Sequence, residues 1–188
     1  MGERIERVLL WGFMASGKTA VGAELARRLG WAHVDLDEVI VRGAGKPIAR
    51  IFREEGEDRF RSLEAELSRE LLAQRQTVLS PGGGWVTHSG LVERLPAGTL
   101  TVWLQVSPAT ALERVRANPD GPERPLLASP DPLGRIRDLL AAREPLYARA
   151  AHAIPTDSRS IDSIVDEIEA LVRSNLSVFE RQTVNSDG

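Results

Sequence analysis

One segment near the start of the chain carries the clearest chemistry. Residues 12–19 have the pattern G-x-x-x-x-G-K-[ST], in which glycines let backbone N–H groups turn towards phosphate oxygens. The lysine of such a loop reaches the terminal phosphates, and the hydroxyl can ligate Mg²⁺. An apolar run at residues 5–11 predicts a strand before the loop, and residues 20–29 predict a helix after it. This context favours phosphate binding over a glycine-rich turn that only connects two elements.

The composition limits the class of protein. The 188 residues suit one domain with a full core, and 42% hydrophobic with 27% charged residues is ordinary for a soluble protein. A net charge of −3 gives no basic field for nucleic acid, and the lack of cysteine excludes disulfides and thiol chemistry. No apolar run approaches the length of a membrane span, so we expect no membrane partner and a cytoplasmic location. We also expect a monomer, and no nucleic-acid partner because of the net charge.

Two carboxylates stand at the end of the second predicted strand, residues 31–36. Asp35 and Asp37 are two apart, so in an extended chain they face the same side, at the sheet edge where α/β proteins bind ligands. One carboxylate is then suited to support a metal ion, and the other to accept a hydrogen bond from a substrate hydroxyl. The alternative is a simple helix cap before Glu38. Beside a phosphate-binding loop we favour ligand binding.

Arg61 lies on a helix predicted from about residue 57 to residue 75. Glu57 precedes it by four residues and Glu64 follows it by three, so both carboxylates can flank the guanidinium. They would hold its fork ready to bind a carboxylate bidentately. The alternative, which spacing alone favours, is a surface ion-pair ladder worth a few tenths of a kcal/mol.

Three consecutive glycines, Gly82, Gly83 and Gly84, follow a strand predicted at residues 77–80. Such a run lets a ligand or another backbone come close, or it makes a flexible loop. At the end of a strand in this fold we favour close approach. Trp85 comes next, and it either anchors the core or shapes a pocket.

Residues 118–125 contain three prolines and a glycine, so they predict neither helix nor strand. A loop of this kind can close over a site and exclude water, with Arg124 as the charge that it carries. An ordinary surface linker with one solvated arginine is the alternative. The three histidines, His33, His88 and His152, share no spacing, and we expect structural or surface roles for them.

Apolar runs alternate with helical patterns along the chain, at least five of each. This alternation predicts an α/β fold of three layers, α/β/α, with a central five-stranded parallel sheet. We expect one domain over residues 1–175, with its last helix at residues 160–173. A disordered tail is expected at residues 176–188, where large apolar residues become rare.

Taken together, these segments resemble the shikimate kinase family. In chain order the resemblance rests on residues 12–19, Asp35-Leu36-Asp37, Ile51-Phe52, Gly56-Glu57-x-x-Phe60-Arg61-x-x-Glu64, Gly82-Gly83-Gly84, Arg124-Pro125-Leu126-Leu127 and Arg143-Glu144-Pro145-Leu146-Tyr147. The phosphate-binding loop is generic, whereas the later segments in combination are specific. The resemblance implies a P-loop kinase fold with a mobile lid at about residues 117–130. It also implies the ATP- and Mg²⁺-dependent phosphorylation of the 3-hydroxyl of shikimate, in the biosynthesis of chorismate and aromatic amino acids.

The resemblance further implies residue roles. The catalytic residues would be Lys18, Asp37 and Arg124. Shikimate would be bound by Asp37, Phe52, Phe60, Arg61, Glu64, Gly82, Gly83, Gly84 and Arg143. ATP would be bound by Gly12, Ala15, Ser16, Gly17, Lys18, Thr19, Ala20, Arg124 and, around adenine, Arg116 and Pro155. The metal ion would be held by Thr19 and, through water, by Asp35.

The sequence departs from the family pattern at a few positions. Ala15 and Ala20 replace residues that are often Gly and Ser or Thr, and neither is an essential phosphate ligand. Trp85 stands where a small residue is usual, and it would shrink the pocket if it leaned towards the substrate.

Two other functions stay open at this point. A kinase of the gluconate type shares the loop but does not need two separated arginines for a ring carboxylate. A non-catalytic nucleotide-binding module would be expected to lose some of the charged residues.

Overall fold

The computed structural model describes residues 4–118 and 130–184, with side chains up to residue 174. The strands are β1 (Arg7–Trp11), β2 (Ala32–Asp35), β3 (Thr77–Ser80), β4 (Thr99–Gln105) and β5 (His152–Pro155). The helices are α1 (Lys18–Leu29), α2 (Leu36–Ala44), α3 (Ile48–Leu72), α4 (Ser89–Val92), α5 (Pro108–Arg116), α6 (Pro132–Tyr147) and α7 (Ile161–Val184), and a 3₁₀ turn covers Trp85–Thr87.

In the described part of the chain the five strands form one parallel sheet in the order β2-β3-β1-β4-β5. Alternating side chains of β1 enter two separate apolar clusters. Leu9 and Trp11 enter the cluster that includes Phe60 of α3, whereas Val8 and Leu10 enter the cluster shared with α1 and α7. Since each face of the sheet is covered by helices, the predicted three-layer α/β fold is confirmed.

The carboxyl ends of all five strands meet at one edge of the sheet, because the strands are parallel. At this edge lie the phosphate-binding loop after β1, the two aspartates where β2 passes directly into α2, and the triple glycine after β3. The topology therefore brings together three segments that are far apart in sequence.

Two predicted helices differ in detail from the structure. The helix expected from about residue 57 to residue 75 is the second part of α3, which has non-helical backbone at Gly56 (φ 84°, ψ 170°) and ends at Leu72. The apolar spacing of residues 88–95 predicts a helix over that range, and the structure has only the single-turn α4 there, at Ser89–Val92. Gly90 is a poor helix former and Pro96 cannot continue a helix, so this segment does not extend.

The end of the chain is helical for longer than the sequence predicted. The backbone of α7 continues from the expected end at residue 173 to Val184. No proline or glycine interrupts residues 160–184, so nothing in the local sequence breaks the helix there. The domain boundary expected at residue 175 stays a prediction. Within the described ranges, no helix is both long and apolar enough to cross a membrane.

Arg124 and most of the predicted lid lie outside the described residues. Their roles therefore remain predictions from the sequence.

Candidate active site

The phosphate-binding loop joins the end of β1 to the start of α1. Gly12 has φ 154°, and a Cβ there would lie 2.5 Å from the Ser16 Oγ and 2.7 Å from the Leu104 carbonyl oxygen. Only glycine therefore fits where the loop leaves the strand. At the other end Gly17 precedes α1 with φ 95°, and the first turn of α1 has no acidic residue to offset its positive end. The loop and helix N-terminus together form a site for an anion.

The side chain of Lys18 lies back over this loop. Its Nζ donates to the carbonyl oxygens of Gly12 and Phe13, both at 2.9 Å. The ammonium group is therefore placed at the mouth of the loop by backbone atoms. The Oγ of Ser16, which is buried, has no hydrogen-bond partner among the described residues, and Ala15 adopts a positive φ of 57°.

Asp35 has the helix-capping role that the sequence offered as one interpretation, and it also contacts the phosphate-binding loop. Its Oδ2 accepts a hydrogen bond from the Thr19 hydroxyl at 2.6 Å, and its Oδ1 accepts one from the Asp37 N–H at 3.0 Å. The second contact makes Asp35 the N-cap of α2. The first contact joins a hydroxyl and a carboxylate, which are the oxygen ligands that Mg²⁺ prefers.

Asp37 is the second residue of α2 and lies between the phosphate-binding loop and the triple glycine. Its Oδ1 is buried and has no hydrogen-bond partner among the described residues. Burial, with the neighbouring carboxylates of Asp35 and Glu64, raises the pKa of Asp37 to about 6. A carboxylate with this pKa is mostly ionised at neutral pH and is a better proton acceptor than an ordinary aspartate.

Arg61 is held in the way that its helical spacing predicted. Its Nη1 donates to Glu64 Oε2 at 2.7 Å, while its Nη2 lies 3.2 Å from Glu57 Oε1. The two partners differ in burial, because Glu64 is 1% exposed and the Glu57 side chain is 65% exposed. One edge of the guanidinium is therefore fixed, and the other faces an exposed carboxylate that a ligand can replace.

The triple glycine packs against charged side chains. A Cβ at Gly84 would lie 2.9 Å from both terminal nitrogens of Arg61, and one at Gly82 would lie 3.0 Å from Asp37 Oδ1. The carbonyl oxygen of Gly83 accepts a hydrogen bond from the Tyr147 hydroxyl, and Arg143 Nη1 lies 3.5 Å from the same oxygen. The loop thus brings Arg61 and Arg143 to two neighbouring glycines.

Tyr147 ties the triple glycine to the core. Its ring is fully buried and stacks on Trp103, with centroids 5.9 Å apart. Burial raises the pKa of its hydroxyl to about 12, so the hydroxyl stays a hydrogen-bond donor at neutral pH. The position of Gly83 is therefore set by α6, which also carries Arg143.

Phe52 and Phe60 form an aromatic pair beside Arg61. Their ring centroids are 4.7 Å apart, and the guanidinium carbon of Arg61 lies 5.3 Å from the Phe60 ring centroid. Phe60 is buried and Phe52 is 37% exposed. This pair can provide the apolar wall that the resemblance implied.

Trp85 does not narrow the pocket. Its side chain is fully buried in the cluster between the sheet and helices α3 and α6, and its ring lies 6.3 Å from that of Trp11. Its Nε1 donates to Ser68 Oγ at 2.7 Å. Of the two interpretations left open by the sequence, the structure favours the core anchor.

His88 is a residue of this site that the sequence analysis missed. Its Nε2 lies 2.8 Å from Glu64 Oε2, the same oxygen that accepts from Arg61. Since the two residues are 24 apart, no helical spacing reveals the contact. His33 instead contacts Ser80 Oγ at 3.1 Å, and His152 is exposed at the start of β5, so the structural or surface roles expected for these two are consistent with the geometry.

The predicted adenine site is only outlined by the described residues. Arg116 is exposed at the end of α5, and Pro155 is exposed at the end of β5. The arginine that contacts the phosphate-binding loop is Arg114, which donates to the carbonyl oxygens of Ala15 at 3.1 Å and Thr156 at 2.7 Å. Sequence reasoning missed Arg114, because two arginines two positions apart in α5 gave no means of ranking them.

A parallel α/β/α sheet with a phosphate-binding loop after its first strand, facing a carboxylate and two arginines, defines the class of P-loop phosphotransferases. The family model described as "Shikimate kinase" matches residues 14–173. The shikimate kinase of Symbiobacterium thermophilum is 46% identical over 162 residues, which are 86% of this chain and 92% of that protein. The chain therefore belongs to the shikimate kinase family.

Solved structures agree with this assignment. Shikimate kinase from Acinetobacter baumannii, in complex with shikimate, is 35% identical with a TM-score of 0.83, over 92% of this chain and 96% of that one. The enzyme from Aquifex aeolicus is 29% identical with a TM-score of 0.75, over 90% and 98% of the two chains. A gluconokinase from Sinorhizobium meliloti, 19% identical with a TM-score of 0.63 over 95% and 98%, shares the fold alone.

Proposed function

We propose that this chain transfers the terminal phosphoryl group of ATP to the 3-hydroxyl of shikimate, giving shikimate 3-phosphate and ADP. The observation that carries the proposal is the placement of Asp37 between the phosphate-binding loop and the arginine-flanked triple glycine. Membership of the shikimate kinase family supports the same reaction. The reaction would supply an intermediate of the pathway to chorismate and the aromatic amino acids.

On the nucleotide side, phosphate oxygens would accept hydrogen bonds from the loop that runs from Gly12 to Thr19. The positive end of α1 and the ammonium group of Lys18 face this loop and would offset the charge that develops on the transferred group. Arg116 and Pro155 are retained as the adenine contacts, and Arg124 as the lid cation.

The residues present fit a magnesium ion. Thr19 and Asp35 bring a hydroxyl and a carboxylate together, and Mg²⁺ sites of this kind need few protein ligands because phosphates and water complete them. The described residues hold no cluster of three His, Cys, Asp or Glu that would form an all-protein site, which agrees with such sharing. When bound, the ion would neutralise phosphate charge. Thr19 would then be its direct ligand, and Asp35 would act through water.

On the acceptor side, the shikimate carboxylate would replace exposed Glu57 as the partner of Arg61. Arg143, on the other side of the triple glycine, would hold the same carboxylate. Asp37, whose Oδ1 has no partner among the described residues, would accept the hydrogen bond of the 3-hydroxyl and take up its proton. Phe52 and Phe60 would cover the ring.

Two other functions remain as alternatives. A gluconate kinase would share the phosphate-binding loop, but the buried Glu64 that orients Arg61 suits a fixed ring carboxylate better than a flexible chain. A non-catalytic module would have no need for a partly buried carboxylate at the position of Asp37, since its burial is costly.

The test is ADP release with MgATP, comparing shikimate, gluconate and no acceptor. We expect ADP to form at a rate that depends on shikimate, with only background release in the other two reactions. Equal rates with gluconate would favour the alternative kinase, and ATP binding without turnover would favour the non-catalytic module. Repeating the reaction with EDTA tests the magnesium requirement, and we expect turnover to stop.

We further propose a cytoplasmic monomer without nucleic-acid or membrane partners. The net charge of −3 supports the absence of a nucleic-acid partner. Light scattering should give the mass of one chain, and a mass twice as large would overturn the monomer.

A further inference from the structure

Glu64 is the most deeply buried charged group next to the proposed acceptor site. Its side chain is 1% exposed, and its Oε2 lies 2.7 Å from Arg61 Nη1 and 2.8 Å from His88 Nε2. A carboxylate oxygen can only accept hydrogen bonds. In this contact His88 therefore donates a hydrogen bond through its Nε2–H. Two donors from different elements therefore converge on one oxygen.

His88 is itself fixed by the backbone around it. Its N–H donates to the Trp85 carbonyl oxygen at 3.0 Å, and its own carbonyl oxygen accepts from the N–H groups of Leu91 and Val92. Trp85 is anchored in the core through Ser68, which lies on the same helix as Glu64. The imidazole is thus held at the junction of the 3₁₀ turn and α4, with 17% of its side chain exposed.

We propose that His88 is a positioning residue for the acceptor carboxylate. It holds Glu64 Oε2 in the orientation that fixes one edge of Arg61, so that the other edge faces the acceptor. This inference rests on the proposed function, because it assigns the carboxylate of shikimate to Arg61. Neither the residue type nor the sequence position of His88 predicts this role.

Loss of His88 would leave Glu64 buried with one donor in place of two. An incompletely paired buried carboxylate is costly, so Glu64 would rotate towards other donors or water and Arg61 would follow it. Acceptor binding depends on the guanidinium geometry, whereas the phosphate-binding loop makes none of these contacts. The effect should therefore fall on shikimate and not on ATP.

The kinetic test compares His88→Ala, His88→Gln and the control His152→Ala, which removes an exposed histidine from β5. We expect His88→Ala to raise KM for shikimate about fivefold, as for the loss of one hydrogen bond, with KM for ATP and kcat within about twofold. His88→Gln keeps an N–H at a similar reach and should recover most of the loss. Equal increases in both KM values, or no change in either, would overturn the proposal.

A double-variant cycle separates positioning from a general structural role. If His88 acts through Arg61, then His88→Ala added to Arg61→Ala should raise the shikimate KM no further. A full fivefold effect in the Arg61→Ala background would overturn the proposal. Should His88→Ala fail to fold, His88→Asn, which is too short to reach Glu64, replaces it in the comparison with His88→Gln.

A third readout does not depend on turnover. The Nε–H signal of Arg61 in a ¹H–¹⁵N spectrum, identified by its loss in Arg61→Lys, reports the environment of the guanidinium without substrate. We expect it to shift in His88→Ala and to return in His88→Gln. An unchanged signal would overturn the role of His88, even if shikimate were the wrong acceptor. Absence of shikimate-dependent ADP release by the wild-type chain would overturn the proposed function alone.

Discussion

The nucleotide side and the acceptor side of the proposed site are held in place by different kinds of contact. On the nucleotide side, residues 12–19, backbone atoms do most of the positioning, and Lys18 itself is held by two carbonyl oxygens of the loop. On the acceptor side, side chains from α2, α3 and α6 hold one another around the triple glycine. This side consists of Asp37, Arg61, Glu64, Gly82–Gly84 and Arg143. The nucleotide side is therefore mainly one contiguous segment, which Asp35 and Arg114 also contact, whereas the acceptor side is assembled entirely by tertiary packing.

This difference has an energetic consequence. Backbone hydrogen bonds form together with the loop, whereas the acceptor side keeps two carboxylates, Asp37 and Glu64, away from water. Such groups reduce stability unless they are paired, and Asp37 Oδ1 has no partner within the described residues. The acceptor side is thus where we expect function and stability to conflict, and variants there should separate the two.

The largest expected effect is on turnover in Asp37→Asn. An amide cannot take the proton of the 3-hydroxyl, so kcat should fall about 10²- to 10⁴-fold. The dissociation constant of ATP should change little, because the phosphate-binding loop does not use Asp37. Steady-state kinetics with ATP titration checks both values, and near-normal kcat would remove Asp37 from the catalytic residues.

A smaller effect is expected from Gly84→Ala. The new Cβ would lie 2.9 Å from the terminal nitrogens of Arg61, which sit at the end of a flexible side chain and can move. We expect KM for shikimate to rise about tenfold, as for a weakened charge-assisted bond, with little loss of stability. Gly90→Ala is the matched control, since a Cβ at that position would meet no neighbouring group within 4 Å. Similar KM values in both variants would argue against a close fit of Arg61 to this glycine.

The free energy of unfolding of the ligand-free protein should depend on pH through the titration of Asp37. Because the pKa of Asp37 is about 6 in the folded chain and about 3.9 when unfolded, the folded state binds more protons between these values. Its stability should therefore fall as pH rises from about 4 to 6, and Asp37→Asn should remove this loss. We expect the variant to be more stable by about 3 kcal/mol above pH 7 and by nearly nothing below pH 4.

Denaturant unfolding at several pH values measures this difference. A gap between the two chains that stays constant with pH would contradict the raised pKa of Asp37.

The smallest functional effect is expected for Trp85→Phe. The substitution removes the bond to Ser68 and leaves a small cavity, so the free energy of unfolding should fall by about 1–2 kcal/mol. KM for shikimate should stay within about twofold, because the indole lies in the core. A large change in KM at unchanged stability would place Trp85 at the pocket after all.

The same contrast explains what could be predicted from the sequence. The phosphate-binding loop is contiguous, and the contacts of Arg61 follow helical spacing, so both were visible as patterns. The bonds from His88 to Glu64, from Trp85 to Ser68 and from Arg114 to Thr156 span 24, 17 and 42 residues. Such contacts depend on how elements pack, which periodicity and spacing do not encode.

Two other differences have local causes. The helix predicted at residues 88–95 is shortened to α4, because Pro96 cannot continue a helix and Gly90 is a poor helix former. The last helix is predicted to end at residue 173, yet helical backbone continues to Val184, and no proline or glycine breaks it there.

The role that we propose for Arg61 is to bind the acceptor and not the nucleotide. Its most direct test is calorimetric titration of Arg61→Ala with shikimate and, separately, with MgATP. The loss of charge-assisted hydrogen bonds should weaken shikimate binding about 10- to 100-fold, while the dissociation constant of ATP stays within about twofold. An equal loss of affinity for both ligands would contradict this role of Arg61.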